Sequence, residues 1–351
     1  MLSGGPCAGK TKSLKIIEEE LIKYGYDVFV IKESAKALID EGFDRNKSPY
    51  EFQKAIALKQ LKAEEDAKKL AQNSKNPVII SDRGMMDCRV YLDDNDFSKI
   101  KKFLKMSDID LRDRYDAVFH LDSVSDNENA EYKQGEIRIE NEAEASKLNE
   151  RSLKAWCGNP HYRFIPACDT YEEKKTILLK EIKHFLGIPK PLEIERKYLI
   201  KYPDIKFLLT LPCQKVNITQ SYMTNGKERF RLRKRGNEEK YIYIKTEKKK
   251  ISETIREEIE TRLTESEYEE LLTGNIVTGS ISKERYCLMY NGTYYEIDVF
   301  PFWQKQAYLE VELLDENDRI FIPEFLQVIE EVTYKPEYKN VSLCQRIPKE
   351  S

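Results

Sequence analysis

Glu193-Ile194-Glu195-Arg196-Lys197 reads ExExK, and the residues after it continue Tyr198-Leu199-Ile200. In an extended strand successive side chains alternate between faces, so Glu193, Glu195 and Lys197 share one face while Ile194 and Tyr198 fall on the other. Taken alone, this is what a solvent-facing strand would show. The same alternation recurs at Arg229/Arg231/Arg233, Lys245, Arg256/Glu258/Glu260, Lys283/Arg285, Glu296/Asp298 and Glu310/Glu312. An open sheet would mix Thr, Ser, Gln and Asn on its wet face. Here acids and bases are concentrated in separate strands, with Ile, Leu, Phe, Tyr and Val between them. Closing such strands into a barrel with the charged faces inward makes a tunnel, lined by cations for phosphate oxygens and by carboxylates for a divalent metal. Like charges repel in a low-dielectric interior, so the lumen must hold water, ions or substrate, and its acids and bases must offset one another.

Around this strand the chain divides. Gly187-Ile188-Pro189-Lys190-Pro191 ends a helical stretch, which sets a domain boundary between residues 1–189 and 190–351. The second part reads as strands from EIERKYLI to AYLEVELL, separated by turn signals such as Asn225-Gly226 and Asn291-Gly292, and so as an antiparallel β tunnel barrel. In the first part helical stretches (Lys10 to Tyr24, Pro49 to Asn73, Glu142 to Trp156, Tyr171 to Leu186) alternate with the apolar runs VFVI, PVII and AVFHL. That order predicts an α/β domain with a parallel sheet.

Gly4-Gly5-Pro6-Cys7-Ala8-Gly9-Lys10-Thr11 fits GxxxxGK[ST], a loop whose backbone N–H groups cradle phosphates at a helix N-terminus while Lys10 serves phosphate and Thr11 serves Mg²⁺. Only Met1 to Ser3 precede it, so the strand feeding the loop is expected to be very short or cut. Pro77 to Asp82 is an apolar run ending in an acid, which suits Asp82 to orient Mg²⁺. Glu33 ends the second apolar run and is read either as a base or substrate-binding carboxylate or as a solvated helix cap. Arg138 and Arg151 flank a polar helical stretch, more simply a solvated face than a cationic lid.

Together the charged strands resemble the CYTH family of triphosphate tunnel metalloenzymes, joined by the closing Glu331-Val332-Thr333 with Tyr338 and Asn340. GGPCAGKT, Asp82-Arg83-Gly84 and the AWCGNPH segment (155–161) resemble the P-loop domain of the AAA-28 or NadR-like kinase group. The pairing resembles the TRPL translocation defect family; its loop often reads GGPCGGKT, where Ala8 stands here for a glycine. The resemblance implies Mg²⁺ or Mn²⁺ on Glu193, Glu195 and Glu312. It implies a triphosphate held by Lys197, Arg229, Arg231, Arg233, Lys245, Arg256, Lys283 and Arg285, with Glu258, Glu260, Glu310 and Asp298 as candidates to activate water. Residues 4–11 with Asp82 and Arg83 would bind ATP or GTP. The expected reaction is metal-dependent hydrolysis of inorganic triphosphate, a nucleoside triphosphate or thiamine triphosphate. The competing expectation is a GTP- and phosphoinositide-binding regulator without catalysis, for which Lys245 to Lys250 (KTEKKK) is the only obvious membrane-facing patch.

Composition bounds these readings. The 351 residues are 40% hydrophobic and 34% charged with a net charge of −3, so phosphate sites must be local and nucleic acid is an improbable partner. Seven cysteines without CxxC spacing argue against a disulfide framework, and three histidines against a histidine metal site. With no apolar run near membrane length and no secretory signal, a cytoplasmic protein is expected. Oligomeric state is not legible.

Overall fold

Leu2–Ser3 (β1) is two residues long and pairs in parallel with Val118–Leu121 (β4), which pairs in turn with Tyr162–Ile165 (β5). Asp27–Ile31 (β2) and Pro77–Ser81 (β3) form a second parallel pair, linked to β1 by a bridge between Leu2 and Asp82. The computed structural model describes residues 1–6, 8–44, 48–122, 142–190, 192–226, 228–250 and 255–350; side chains at 142, 143, 145, 192, 193, 248–250 and 255–258 fall outside that description. Parallel strands need crossovers, and helices supply them. They are α1 (Lys10–Lys23), α2 (Ser34–Asp40), α3 (Pro49–Ala71), α4 (Asp87–Tyr91), α5 (Asp94–Leu104), α6 (Asp108–Arg112), α7 (Glu142–Trp156) and α8 (Tyr171–Phe185). Their starts follow local chemistry: Ser48 accepts from the Glu51 amide with Pro49 at the first helical position, and Ser107 and Asp110 close a capping box.

Compact units span Met1–Lys180 and Glu181–Ser351. Among the described residues no helix is long and apolar enough to cross a membrane.

The second unit contains β6 (Leu192–Lys201), β7 (Cys213–Thr224), β8 (Arg229–Gly236), β9 (Tyr241–Lys250), β10 (Ile255–Leu263), β11 (Ile276–Tyr290), β12 (Thr293–Val299), β13 (Gln306–Leu313) and β14 (Val328–Glu331). Short helices α9 (Ile205–Leu208), α10 (Glu265–Gly274) and α11 (Asn340–Leu343) accompany them. Strand order runs β10-β9-β8-β7-β11-β12-β13-β6, and β10 pairs back onto β6. That last pairing, Ile255 to Ile194 through Glu257 to Leu192, closes an eight-stranded barrel. β7 is the strand that charge alternation does not reveal: its sequence, CQKVNITQSYMT, is largely uncharged.

The outer face is largely apolar. Ile194, Ile200, Leu288, Ile297, Leu309 and Val311 form one cluster, and Phe230, Leu232 and Tyr243 pack with Tyr268 of α10. Each fully buried aliphatic or aromatic side chain stabilises the wall by about 1.5–3 kcal/mol, and their outward packing leaves the charged alternates facing the bore.

Candidate functional site

The loop between β1 and α1 is shaped by its glycines. Gly4 has φ +130°, and a Cβ there would lie 2.1 Å from the Leu121 carbonyl oxygen, so only glycine fits. Gly9 turns the chain into α1 at φ +86°. Lys10 Nζ donates to the carbonyls of Gly4 at 2.9 Å and Gly5 at 2.7 Å, folding the side chain over the loop. Burial, then the neighbouring Arg83, push its ammonium down to about 7, against the pull of Asp82 and Glu33. Thr11 Oγ1 donates to Asp82 Oδ2 at 2.7 Å. Asp82 is fully buried, and its Oδ1 has no hydrogen-bond partner. Burial and then Glu33 raise its carboxyl, while Lys10 and Thr11 pull it down. A buried orphan carboxylate oxygen beside a loop threonine fits a divalent cation, which takes one or two carboxylates and completes its shell with phosphate and water.

Arg83 sits in the left-handed region at φ +70° and donates from Nε to Glu33 Oε1 at 3.0 Å. The Gly84 amide donates to Asp87 Oδ2 at 2.8 Å and Ser3 Oγ to Asp87 Oδ1 at 3.0 Å, so Asp87 fastens this turn to β1. Lys10, Thr11, Asp82, Arg83 and Glu33 thus converge, with Glu33 engaged by Arg83 rather than standing as a solvated cap. Gly5, Pro6 and Ala8 are buried in the loop; Cys7 lies outside the described residues. Asn149 of α7, not singled out in the sequence, accepts from the Gly5 amide and contacts buried His120. Arg151 is pinned to the carbonyls of Arg89 and Leu92, which removes it from any lid. Arg138 lies outside the described residues.

In the barrel, register decides which charges share the lumen. Glu195 is opposite Glu312 and Lys197 opposite Glu310; Glu310 faces Glu296, and Asp298 faces Arg285. Lys283 is opposite Ile218, itself opposite Arg235; Arg233 and Arg231 face Gln220 and Tyr222, and Thr246 links Arg231 to Glu260. One continuous face therefore carries nearly every charge named from the sequence.

Two groups of ion pairs result. In the first, Lys197 Nζ lies 2.7 Å from Glu310 Oε1, and Arg285 donates to Asp298 (2.6 and 2.7 Å), to Glu310 (2.5 Å) and to Glu296; Lys283 pairs with Asp298. Burial alone would lower the Lys197 ammonium, but Glu310 and Glu195 outweigh it and hold it above its usual value. Burial and Arg285 instead depress Lys283. Glu310 is raised by burial but more strongly lowered by Lys197, Lys283 and Arg285, leaving it well below the carboxylate range. In the second group, Arg231 and Arg233 lie 3.5 and 3.6 Å from Glu260, which also accepts from Thr246 at 3.0 Å.

Several expectations change. Lys245 pairs with Leu232 and Thr261, the outward positions, and lies beside Glu247 at 2.6 Å and over the Phe230 ring; it does not face the lumen. Glu310, held by Lys197 and Arg285 and kept well below the carboxylate range, is a counterion and a weak proton acceptor; Asp298 is likewise taken up by Lys283 and Arg285. Arg285 spends its donors on three carboxylates, so it organises acids rather than offering itself to phosphate. Arg229 is exposed at the start of β8. The side chains of Glu193, Arg256 and Glu258 lie outside the described residues, as do those of residues 248–250 in the KTEKKK run. Arg235, nearly inaccessible to solvent, belongs to the lumen face and extends the arginine alternation by one step beyond the residues singled out.

Glu195 and Glu312 face each other as like charges on adjoining strands, with His184 at 3.7 Å from the exposed Glu312 and Lys197 near Glu195, so a cation between them would add to the charge balance. That fits a divalent metal. Among the described residues no group of three or more His, Cys, Asp or Glu is gathered into a metal cage.

Glu331-Val332-Thr333 is a clamp. Thr333 Oγ1 accepts from the Lys197 amide at 2.9 Å, the Val332 amide donates to the Lys197 carbonyl at 2.8 Å, and Arg196 donates twice to Glu331. Thr333→Val is expected to cost about 1 kcal/mol, read from urea unfolding. The Arg196 hydrogen bonds, with Thr333 adding to them against burial, hold the Glu331 carboxyl below its ordinary 4.5. The stability this gives is present above pH 4.5 and lost as pH falls below it, a loss that Glu331→Gln should flatten.

Residues 1–174 match the family model for the AAA domain, and residues 191–344 match that for the CYTH domain. The chain joins an AAA domain of the P-loop kind to a CYTH domain. Its barrel is similar to the solved inorganic triphosphatase NE1496, at 28% identity over 45% of this chain and 97% of that one, TM-score 0.30. It is also similar to the PH1819 protein of Pyrococcus horikoshii OT3, at 20% identity over 36% and 80%, TM-score 0.29. A third is HpAC1 from Hippeastrum, a proposed adenylyl cyclase with a dominant triphosphatase activity, at 15% over 35% and 80%, TM-score 0.26. At these TM-scores the likenesses carry no argument about this chain. No curated protein matches it.

Proposed function

We propose that the barrel hydrolyses the terminal phosphoanhydride of a triphosphate compound, using Mg²⁺ or Mn²⁺, while the P-loop unit binds ATP or GTP. The observation that carries this is ring closure, which turns Lys197, Lys283, Arg231 and Arg233 toward one bore together with Glu195 and Glu312. The cations bind phosphate oxygens and neutralise charge that develops on them. Glu195 and Glu312, with Glu193 beside them on the strand, would hold the metal, which supplies further neutralisation when bound. Glu260, on the lumen face beside Arg231 and Arg233, would orient the attacking water, and Glu258 keeps that role only as the sequence suggests it. Attack on the terminal phosphorus forms orthophosphate and expels the bridging oxygen with the rest of the chain.

In the P-loop unit Lys10, Thr11 and Asp82 would serve phosphate and Mg²⁺, and Glu33, held by Arg83, would meet the acceptor of a kinase-type transfer. The order of the two domains is that of the TRPL translocation defect family, which the sequence resembles. The phosphoinositide reading draws no support from the described residues.

The test is orthophosphate release from inorganic tripolyphosphate, ATP, GTP and thiamine triphosphate, repeated for Glu195→Ala and Lys10→Ala. Glu195→Ala is expected to lose the tunnel reaction and keep nucleotide binding, and Lys10→Ala to do the reverse. Release from every substrate left intact by Glu195→Ala would remove the barrel as the site.

A further inference from the structure

Along β6, β13 and β11, and one residue past the end of β12, the lumen side changes character at one step. Lys197 is followed by Leu199, Lys283 is preceded by Ile281, Glu310 is preceded by Tyr308, and Asp298 is followed by Phe300. Alternation puts each apolar residue on the same face as its charged neighbour, one position further along the bore. Leu199, Ile281, Tyr308 and Phe300 form a single buried cluster, and Trp303, Val332 and Leu343 pack onto it from outside the eight strands. Edge-to-face contacts tie Phe300, Trp303 and Tyr308 together at 5.1–5.5 Å. The chain just after α11 reaches the wall itself: a Cβ on Gly279 would lie 2.7 Å from Cys344 Cβ.

The two lysines stand on this floor. Lys197 Nζ is 5.2 Å from the Tyr308 ring centre and Lys283 Nζ is 5.8 Å from that of Phe300. Lys197, Lys283, Asp298 and Glu310 are all buried, as expected for charges at the inner end of a closed space. Beyond them at this end the next residue on the Tyr308 face is Gln306, fully buried, with Tyr308 between it and Glu310 on β13. The Tyr308 hydroxyl, buried among these rings, has no hydrogen-bond partner.

We infer that the bore is blind at its Phe300 end and that its ligand is the free end of a linear polyphosphate, entering terminal phosphate first. This rests on the triphosphate reading of the barrel and narrows it. A chain cannot thread through, so an internal stretch of a long polyphosphate, whose two ends both continue, cannot reach Lys197 and Lys283. A terminal phosphate can, because nothing follows it. It also carries more charge than an internal unit, which suits the deepest cations.

Binding stoichiometry tests this on the full chain in magnesium buffer, with linear inorganic polyphosphates of two well-separated lengths and the same chains esterified at both ends. The expected result is one protein molecule per free chain end at either length, and loss of binding to the end-blocked chains. Protein bound in proportion to chain length, or equal binding to blocked chains, would overturn the blind end. Orthophosphate release followed in the same samples separates the two claims. End-limited binding without release overturns hydrolysis and keeps the blind bore, release with length-proportional binding does the opposite, and no polyphosphate binding at all overturns both.

Discussion

Arg285→Met is expected to destabilise the barrel unit by about 3–5 kcal/mol, the cost of breaking a buried ion pair from one side. Arg285 donates to Asp298, Glu310 and Glu296, and removing it leaves three acids with Lys197 and Lys283 as their nearest cations. Two lysines cannot reproduce the forked geometry of a guanidinium, so a lysine replacement at 285 should recover little. Urea unfolding followed by far-ultraviolet circular dichroism reads the difference. A loss below about 1 kcal/mol, the range of surface pairs, would show that these carboxylates are solvated and that the lumen is wetter than the structure places it.

The second large effect is on chemistry. Lys197→Met should lower phosphate release from the tunnel substrate by about 10²–10³-fold, the usual cost of removing one preorganised donor from developing charge. Glu310 keeps Arg285 as a partner, so the fold should tolerate the change better than it tolerates loss of Arg285. Lys245→Ala, on the outer wall beside Glu247, is the matched control and should change the rate by less than about twofold. Equal losses in the two variants would mean that the lysines act through net charge and not through position.

How much of this was legible in the sequence depends on what alternation can encode. A period of two says which residues share a face, and where one face is ionic and the other aliphatic it also says which is inside; Glu195, Lys197, Asp298 and Glu310 follow directly. On β9 the signal inverts. Tyr241 and Tyr243 lie outside with Lys245 and Glu247, while Ile242, Ile244 and Thr246 face Arg235, Arg233 and Arg231, an assignment that only pairing with β8 reveals. β7 escaped because Gln, Asn, Thr and Ser carry no charge contrast. The floor escaped for a related reason: Leu199, Tyr308 and Phe300 read as ordinary strand residues until their neighbours across the bore are known. In the P-loop unit a strict spacing made the loop plain, whereas the Glu33–Arg83 pair joins residues fifty positions apart and needed the fold.

The first barrel strand has an unusual set of partners: β10, β13 and β14, all of them made later and two of them near the far end of the unit. During synthesis β6 therefore emerges with one charged and one apolar face and nothing to pair with, while the hairpins β7–β8, β8–β9, β9–β10, β11–β12 and β12–β13 can assemble from neighbours in sequence. Long-range pairings of this kind form slowly and leave open edges exposed meanwhile. The strand translated earliest in the barrel is thus secured last, and a chaperone able to shield a single unpaired ribbon would matter most in that interval.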